Sequence, residues 1–575
     1  MEVKAFIKSH KIAIILAVIV GLVSVAPQIY VLKDQNYRGI QMFGTDAEYM
    51  YVGEINRALY EDYSKGPFPV DPGKNYYLAP KLGQRIMAFF AKIFSTRAIE
   101  INVALKFAGP ILLFLILYGW LLEIFSLRLV ALIAPLFVIL GINLLSPIDV
   151  TRLSLFKTSI DSFLPYTRPI SPLISSIFLF LGLWGIYRLA YNKMSFKAAG
   201  VIGVLIGLSL YEYIYTWTFI VVVLGLYLLC LLVKKEWEKF KYFFVVFAVN
   251  GLVALPFFVN LLRGRSDEDY IYTTSRLGLI HTHAPILGAW VVLGFLFIIF
   301  LWPTAYQNTK YFFIILFGAL AVVLNQQLVT GFQIQPGHYH WFTTKPLIAI
   351  ILTFLGLYWI EKIVPNKKWR IVVVIFLVSI FSLNAIIIQA RSYSANYTTY
   401  KENQRYAPLL TFLDESYTTK KNIWANPDLE ISYPELSYLI LAYTHHNAPM
   451  VLENYSNSKV HIRDMLFLDY RLHGINDKNI INAMYQDRNN ITSALFGIYY
   501  RDMPGNYELS DVELQKLGLE YNEFYKIPLD KVFKSFKIDL IIADNGTDSN
   551  YFNKLPFLSK VYAKDGLFLY QVKPK

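Results

Sequence analysis

The 575-residue sequence has one cysteine, Cys230, and it lies inside the apolar run 226–233. A disulfide framework and a cysteine-based metal site are therefore excluded. Charge is scarce too: Asp, Glu, Lys and Arg make up 17% of residues against 55% hydrophobic, with a mean hydropathy of +0.41. Soluble chains of this length carry more charge than that. No Gly-x-Gly-x-x-Gly, Walker loop, His-Glu-x-x-His or Gly-x-Ser-x-Gly pattern occurs in a fitting context, which leaves ATP-driven transport without support within this chain. The net charge of +13 does not point to nucleic acid, because the Lys and Arg residues cluster between hydrophobic segments as topology signals do.

What the chain has in abundance is long apolar runs and 94 aromatic residues, 42 Phe, 42 Tyr and 10 Trp, which suit lipid-facing surface and interfacial belts. Crossing a bilayer takes roughly 20 mostly apolar residues per helix, because backbone groups in lipid must bond within the helix. Eleven such spans are read, near 11–32, 102–124, 127–146, 171–191, 198–215, 217–233, 240–262, 285–303, 310–327, 345–361 and 370–390. The first has no small-residue cleavage pattern and reads as a retained helix. With the N-terminus in the cytoplasm, Lys4, Lys8 and Lys11, Arg188, Lys193 and Lys197, Lys234 to Lys241, and Lys362 to Arg370 all fall inside. The weakest step is 198–233, where Tyr211-Glu-Tyr-Ile-Tyr-Thr-Trp fits either two crossings or one broken helix. The basic loops on both sides favour two.

Segments 33–101, 147–170, 263–284 and 328–344 then face outward, with everything after about residue 391. The fold class expected is a polytopic α-helical membrane protein with a C-terminal soluble α/β domain. Its division is a transmembrane domain, 1–391, with a large first loop at 33–101, and an external domain, 392–575. In the first loop, helical periods cover Ala47–Tyr63 and Leu78–Phe94 and suit helices lying along the interface. In the tail, Ile423–Asn426, Met450–Glu453, Ile538–Asp544 and Gly566–Val572 read as strands, and Pro434–Thr444, Asp511–Leu517 and Asp530–Phe536 as helices.

The polar residues with chemical potential lie in the outward loops. Asp46 and Glu48, just beyond the first helix, suit a general base or a cation site, and equally a helix start capped by Thr45 or Asp46. Arg168, flanked by Pro169 and Pro172, suits a phosphate clamp or an interfacial arginine reaching lipid headgroups; Arg152 lies in the same loop. The third loop carries Arg276 and the pair His281 and His283, and the fourth carries Gln327, His338 and His340, followed by Lys345. These histidines suit substrate contacts, a metal, or an interface without a ligand. Residues i and i+2 of a strand share a face, but a tetrahedral metal needs three or four donors, so different loops would have to converge. No cofactor is specified, and a divalent cation is the one candidate these residues leave open.

The arrangement resembles the GT-C class of integral-membrane glycosyltransferases. The resemblance rests on Asp46-Ala-Glu48 after the first helix, Arg168-Pro169, and the run Asn325-Gln-Gln-Leu-Val-Thr-Gly-Phe-Gln-Ile-Gln-Pro-Gly-His338-Tyr-His340-Trp. It implies transfer of a sugar from a polyprenyl-phosphate-linked donor to a glycan, lipid or protein acceptor at the external face of the cytoplasmic membrane, with inversion. Asp46 matches the class's catalytic acid position and would be the general base, with Glu48 beside it. Arg168, Lys345, Arg152 and Arg276 are assigned to donor phosphate, and His281, His283, Gln327, His338 and His340 to substrate or metal. The Trp-Trp-Asp-Tyr-Gly signature of oligosaccharyltransferases is absent, so en bloc transfer to asparagine is not expected. The competing reading is a transporter or flippase for a lipid-linked glycan, for which Glu212 is the best intramembrane candidate.

Overall fold

The computed structural model describes residues 3–44, 48–60, 81–146, 162–192, 195–270, 272, 274, 279–426, 435–449, 458–497, 508–544 and 550–573. In chain order its larger helices are α1 Val3–Val31, α2 Glu48–Tyr60, α3 Leu82–Phe94, α4 Ala98–Phe125, α5 Arg128–Leu136, α6 Ile174–Tyr191, α7 Phe196–Glu212, α8 Ile214–Val233, α9 Trp237–Gly264, α10 Ala289–Leu301, α11 Gln307–Leu324, α12 Lys345–Ile363 and α13 Lys367–Asn403. Each of the eleven expected spans coincides with a helix. Among the described residues nine helical segments are long and apolar enough to cross a membrane, α5 counting with the turns that extend it to Leu145. The other two expected spans, α7 and α10, are 17 and 13 residues long.

The doubtful stretch 198–233 forms two helices separated by one extended residue, Tyr213. Gly203 lies against Val246 and Val249 while Gly207 lies against Val253, so α7 and α9 run the same way. Trp217 bonds Asn250 and Tyr227 stacks on Phe243, so α8 runs back against α9. Two antiparallel helices result, with Glu212 and Tyr213 at the turn between them.

The loops joining the helices at this end meet on one face, where the C-terminal domain also sits. Gln404 bonds the Ile40 backbone from both sides, Asn56 on α2 donates to the carbonyls of Leu441 and Thr444, and Ser392 donates to Ser162 O. The connecting rod is α13, 37 residues long, which continues past Gln389 into the domain.

In that domain a four-stranded sheet has the order β3 (Ile423–Asn426), β4 (Leu540–Asp544), β6 (Leu567–Val572), β5 (Leu558–Lys564), with β3 and β4 parallel and the other pairs antiparallel. Side chains alternate between sheet faces. Leu540 and Ile542 join a core with Leu409, Leu413 and Leu439, while Ile541 and Ala543 join another with Leu466, Leu514 and Phe533. Both faces are thus covered by helices, which explains a strand apolar at consecutive positions. The strand expected at Met450–Glu453 lies outside the described residues, and β5 was not expected.

His446 is buried beside this sheet, its Nε2 on Leu413 O at 2.9 Å and its Nδ1 accepting from Lys421 N at 3.3 Å. Those contacts fit the neutral ring, and burial lowers its pKa from the usual 6.5. The unfolded chain therefore binds more protons in the window below 6.5, so acidification through it destabilises the domain. Hydrogen exchange on the full chain at pH 7.5 and 5.5 should show faster opening of residues 407–416 at the lower pH, with the difference reduced in His446→Gln.

Candidate active site

The first loop is held by apolar packing: Val52 and Ile55 of α2, Met87, Ala88 and Ala91 of α3, and Ile99 of α4 share a core with Ile170, Ile174 and Ala442. Beneath this layer lies a polar cluster. Glu48, at the first turn of α2, is 4% exposed and Lys106 of α4 is fully buried. Lys106 Nζ stands 2.5 Å from Glu48 Oε1 and donates to Thr167 O at 3.0 Å, while Asn102 Nδ2 donates to the same Glu48 oxygen at 2.8 Å. Lys106 sits about 12 Å along α4 from its start, at a rise of about 1.5 Å per residue. An ionised group at that depth persists when it is paired and hydrogen-bonded, as here.

Thr167 precedes Arg168, so Lys106 ties the acidic end of α2 to the arginine of the second loop. The Arg168 guanidinium lies 5.9 Å from the centre of the Tyr51 ring, one turn along α2, and its Nε donates to Ser171 O at 2.6 Å. Pro169 and Pro172 bracket a π turn in which Ser171 has φ +31°, a strained value for a residue with a side chain. A second ion pair, Glu54 with Lys81, joins α2 to α3, and Gln84 Nε2 donates to Glu54 Oε2 at 2.6 Å.

The fourth loop comes down beside α8. The His338 ring stacks on Tyr215, 4.4 Å apart and 7° from parallel, and its Nδ1 bonds the Tyr213 hydroxyl. Arg168 is near enough to both Lys106 and His338 for its charge to be felt by each. A π turn over His340–Thr344 then leads to Lys345, buried with its Nζ 3.0 Å from the centre of the Trp341 ring.

Glu48, Arg168 and His338 are thus brought to one locality. His281 and His283 lie elsewhere, exposed on the short pairing of β1 (Ile280–His281) with β2 (Phe332–Gln333), against Phe332 and Gly331. Gln327 is buried and its Nε2 donates to Ala284 O at 2.9 Å, holding the third loop to the fourth. His340 lies at the π turn, its ring 6.1 Å from that of Trp341. Asp46, Arg152 and Arg276 lie outside the described residues. Among the described residues no three His, Cys, Asp or Glu side chains gather where a metal would be held.

Sequence reasoning missed Lys106, Asn102 and the Glu54–Lys81 pair. The available signal was a lysine within the expected span 102–124, since ionisable residues inside membrane helices mark functional interiors.

No protein-family model matches this chain, and no curated protein matches it either. Among solved structures, the Archaeoglobus fulgidus oligosaccharyltransferase in its apo form aligns at a TM-score of 0.50 and 13% identity, over 98% of this chain and 74% of that one. ArnT from Cupriavidus metallidurans in the apo state aligns at 0.47 and 10% identity over 98% of each chain. Arabinofuranosyltransferase AftD from Mycobacteria aligns at 0.47 and 12% identity, over 99% of this chain and 40% of that one. Identities this low speak to architecture and not to reaction. The chain shares its fold with the Archaeoglobus fulgidus oligosaccharyltransferase, a GT-C type membrane fold.

Proposed function

We propose that this protein transfers a sugar from a polyprenyl-phosphate-linked donor to an acceptor at the membrane face carrying the C-terminal domain, which is the external face. The observation that carries the reading is the buried trio of Glu48, Lys106 and Asn102 with the half-buried Arg168 beside it, beneath the first-loop helices, in a fold shared with an oligosaccharyltransferase. The basic residues at the other ends of the helices support the orientation.

Asp46, two residues before Glu48, takes the proton of the acceptor hydroxyl. The oxygen attacks the anomeric carbon opposite the leaving group, the bond from that carbon to the phosphate oxygen breaks, and the configuration inverts. Glu48 has one oxygen engaged by Lys106 and Asn102, which makes it a fixed orienting charge and a poor base. Arg168 and Lys345 neutralise the charge that develops on the departing phosphate, an effect strengthened where water is excluded. Membrane lipids supply the donor's surroundings, and the acceptor is a glycan, lipid or protein.

Arg168→Ala should raise the donor KM by about 10- to 100-fold, from loss of a charge-assisted bond of about 1.5–3 kcal/mol, with the acceptor KM little changed. Steady-state kinetics varying each substrate in turn test this. Equal rises in both constants would assign Arg168 to loop architecture.

A further inference from the structure

Glu212 ends α7 at its turn into α8 and is 8% exposed. Neither carboxylate oxygen has a hydrogen-bond partner of good geometry among the described residues. The backbone N–H groups of Gly83 and Ser171 face it and offer it weak, poorly aligned donors. Gly83 is at the start of α3, and a Cβ there would meet Glu212 Oε2, so a side chain at this position would push the carboxylate aside. Ser171 is the strained residue whose carbonyl accepts from Arg168, and Tyr213, next in the chain, bonds His338. Among the described residues no cation pairs with it, and a buried carboxylate with neither a counter-charge nor full hydrogen bonding is costly. It adjoins the cluster described above without joining it.

We propose that Glu212 is a binding residue for the donor's sugar, its two oxygens accepting from two hydroxyl groups while Tyr213 and Tyr215 border the ring. This rests on the glycosyltransferase reading. A carboxylate repels the phosphate, which belongs with Arg168, and takes the part of the donor rich in O–H groups. The same arrangement explains why an otherwise unfavourable group is held in place by a glycine contact and a strained turn: the ligand completes it.

The test uses the full chain in nanodiscs with three probes: polyprenyl-phosphate glucose, polyprenyl-phosphate mannose and bare undecaprenyl phosphate. Wild type should bind at least one sugar-linked probe more tightly than the bare carrier. Glu212→Gln should lower that affinity by at least about tenfold, towards the bare-carrier value, and leave carrier binding unchanged. Gly83→Ala, placed on a different helix, should act in the same direction by displacing the carboxylate. Without ligand, Glu212→Gln should unfold at a temperature equal to or above wild type, whereas a carboxylate needed for architecture would lower it. Undiminished sugar-linked binding in Glu212→Gln, or sugar-linked probes binding wild type no better than carrier, overturns the inference and leaves the glycosyltransferase reading standing. Failure of wild type to bind any of the three probes contradicts both.

Discussion

Asp46→Asn is expected to lower sugar transfer by about 10²- to 10⁴-fold, the range over which a positioned general base contributes. Asparagine keeps the size and one acceptor oxygen of the carboxylate and loses its basicity. Insertion, thermal stability and donor binding should stay close to wild type, because the buried ion pair with Lys106 is formed by Glu48 and is untouched by the change. Glu48→Gln should behave differently, with a change in stability accompanying the loss of rate, since it leaves the buried Lys106 without its counter-charge. Initial rates and melting temperatures of the two variants, measured on one preparation, separate base from orienting charge. Comparable rates in Asp46→Asn and wild type would remove the base from Asp46.

Lys106→Met is expected to be the most destabilising single change at the site. It removes one member of a buried pair and leaves Glu48, 4% exposed, with the Asn102 amide donating to it and no charge beside it among the described residues. Breaking such a pair by deleting one partner costs about 3–5 kcal/mol, most of it from the stranded charge. The double change Glu48→Gln with Lys106→Met strands nothing and should recover most of that loss, while transfer stays low. Thermal unfolding in detergent of the two single variants and the double one closes the cycle. Additive losses would show that the 2.5 Å pair does not act as a unit.

The membrane architecture was legible because crossing a bilayer is a requirement on length and composition, and both can be read without knowing any contact. The spacing of basic residues resolved 198–233 into two helices for the same reason. The extension of α13 to Asn403 was not legible, since its polar last turns, Arg391 to Asn403, have left the apolar pattern while remaining helical. The β5 strand was missed because Leu558-Ser-Lys-Val-Tyr-Ala-Lys is an edge strand, half exposed and only weakly alternating. At the site, the sequence marks Glu48, Arg168 and His338 as unusual but holds no record of which come together. Asn102, Lys106 and Thr167 link two of them, and pairing across 54 residues, from Asn102 to Glu48, and 61, from Lys106 to Thr167, has no local signature. The two His-x-His pairs look alike in sequence, yet His281 lies on an exposed strand and His338 against Tyr215.

The most direct measurement is a donor screen with the purified protein in nanodiscs, following release of free polyprenyl phosphate from a panel of polyprenyl-phosphate sugars, with and without glycan, lipid and peptide acceptors. The account predicts release that depends on one sugar, grows with acceptor concentration and is lost in Asp46→Asn. Movement of an intact lipid-linked glycan between leaflets, with no cleavage of the sugar–phosphate bond in any combination, would contradict it and make the protein a flippase.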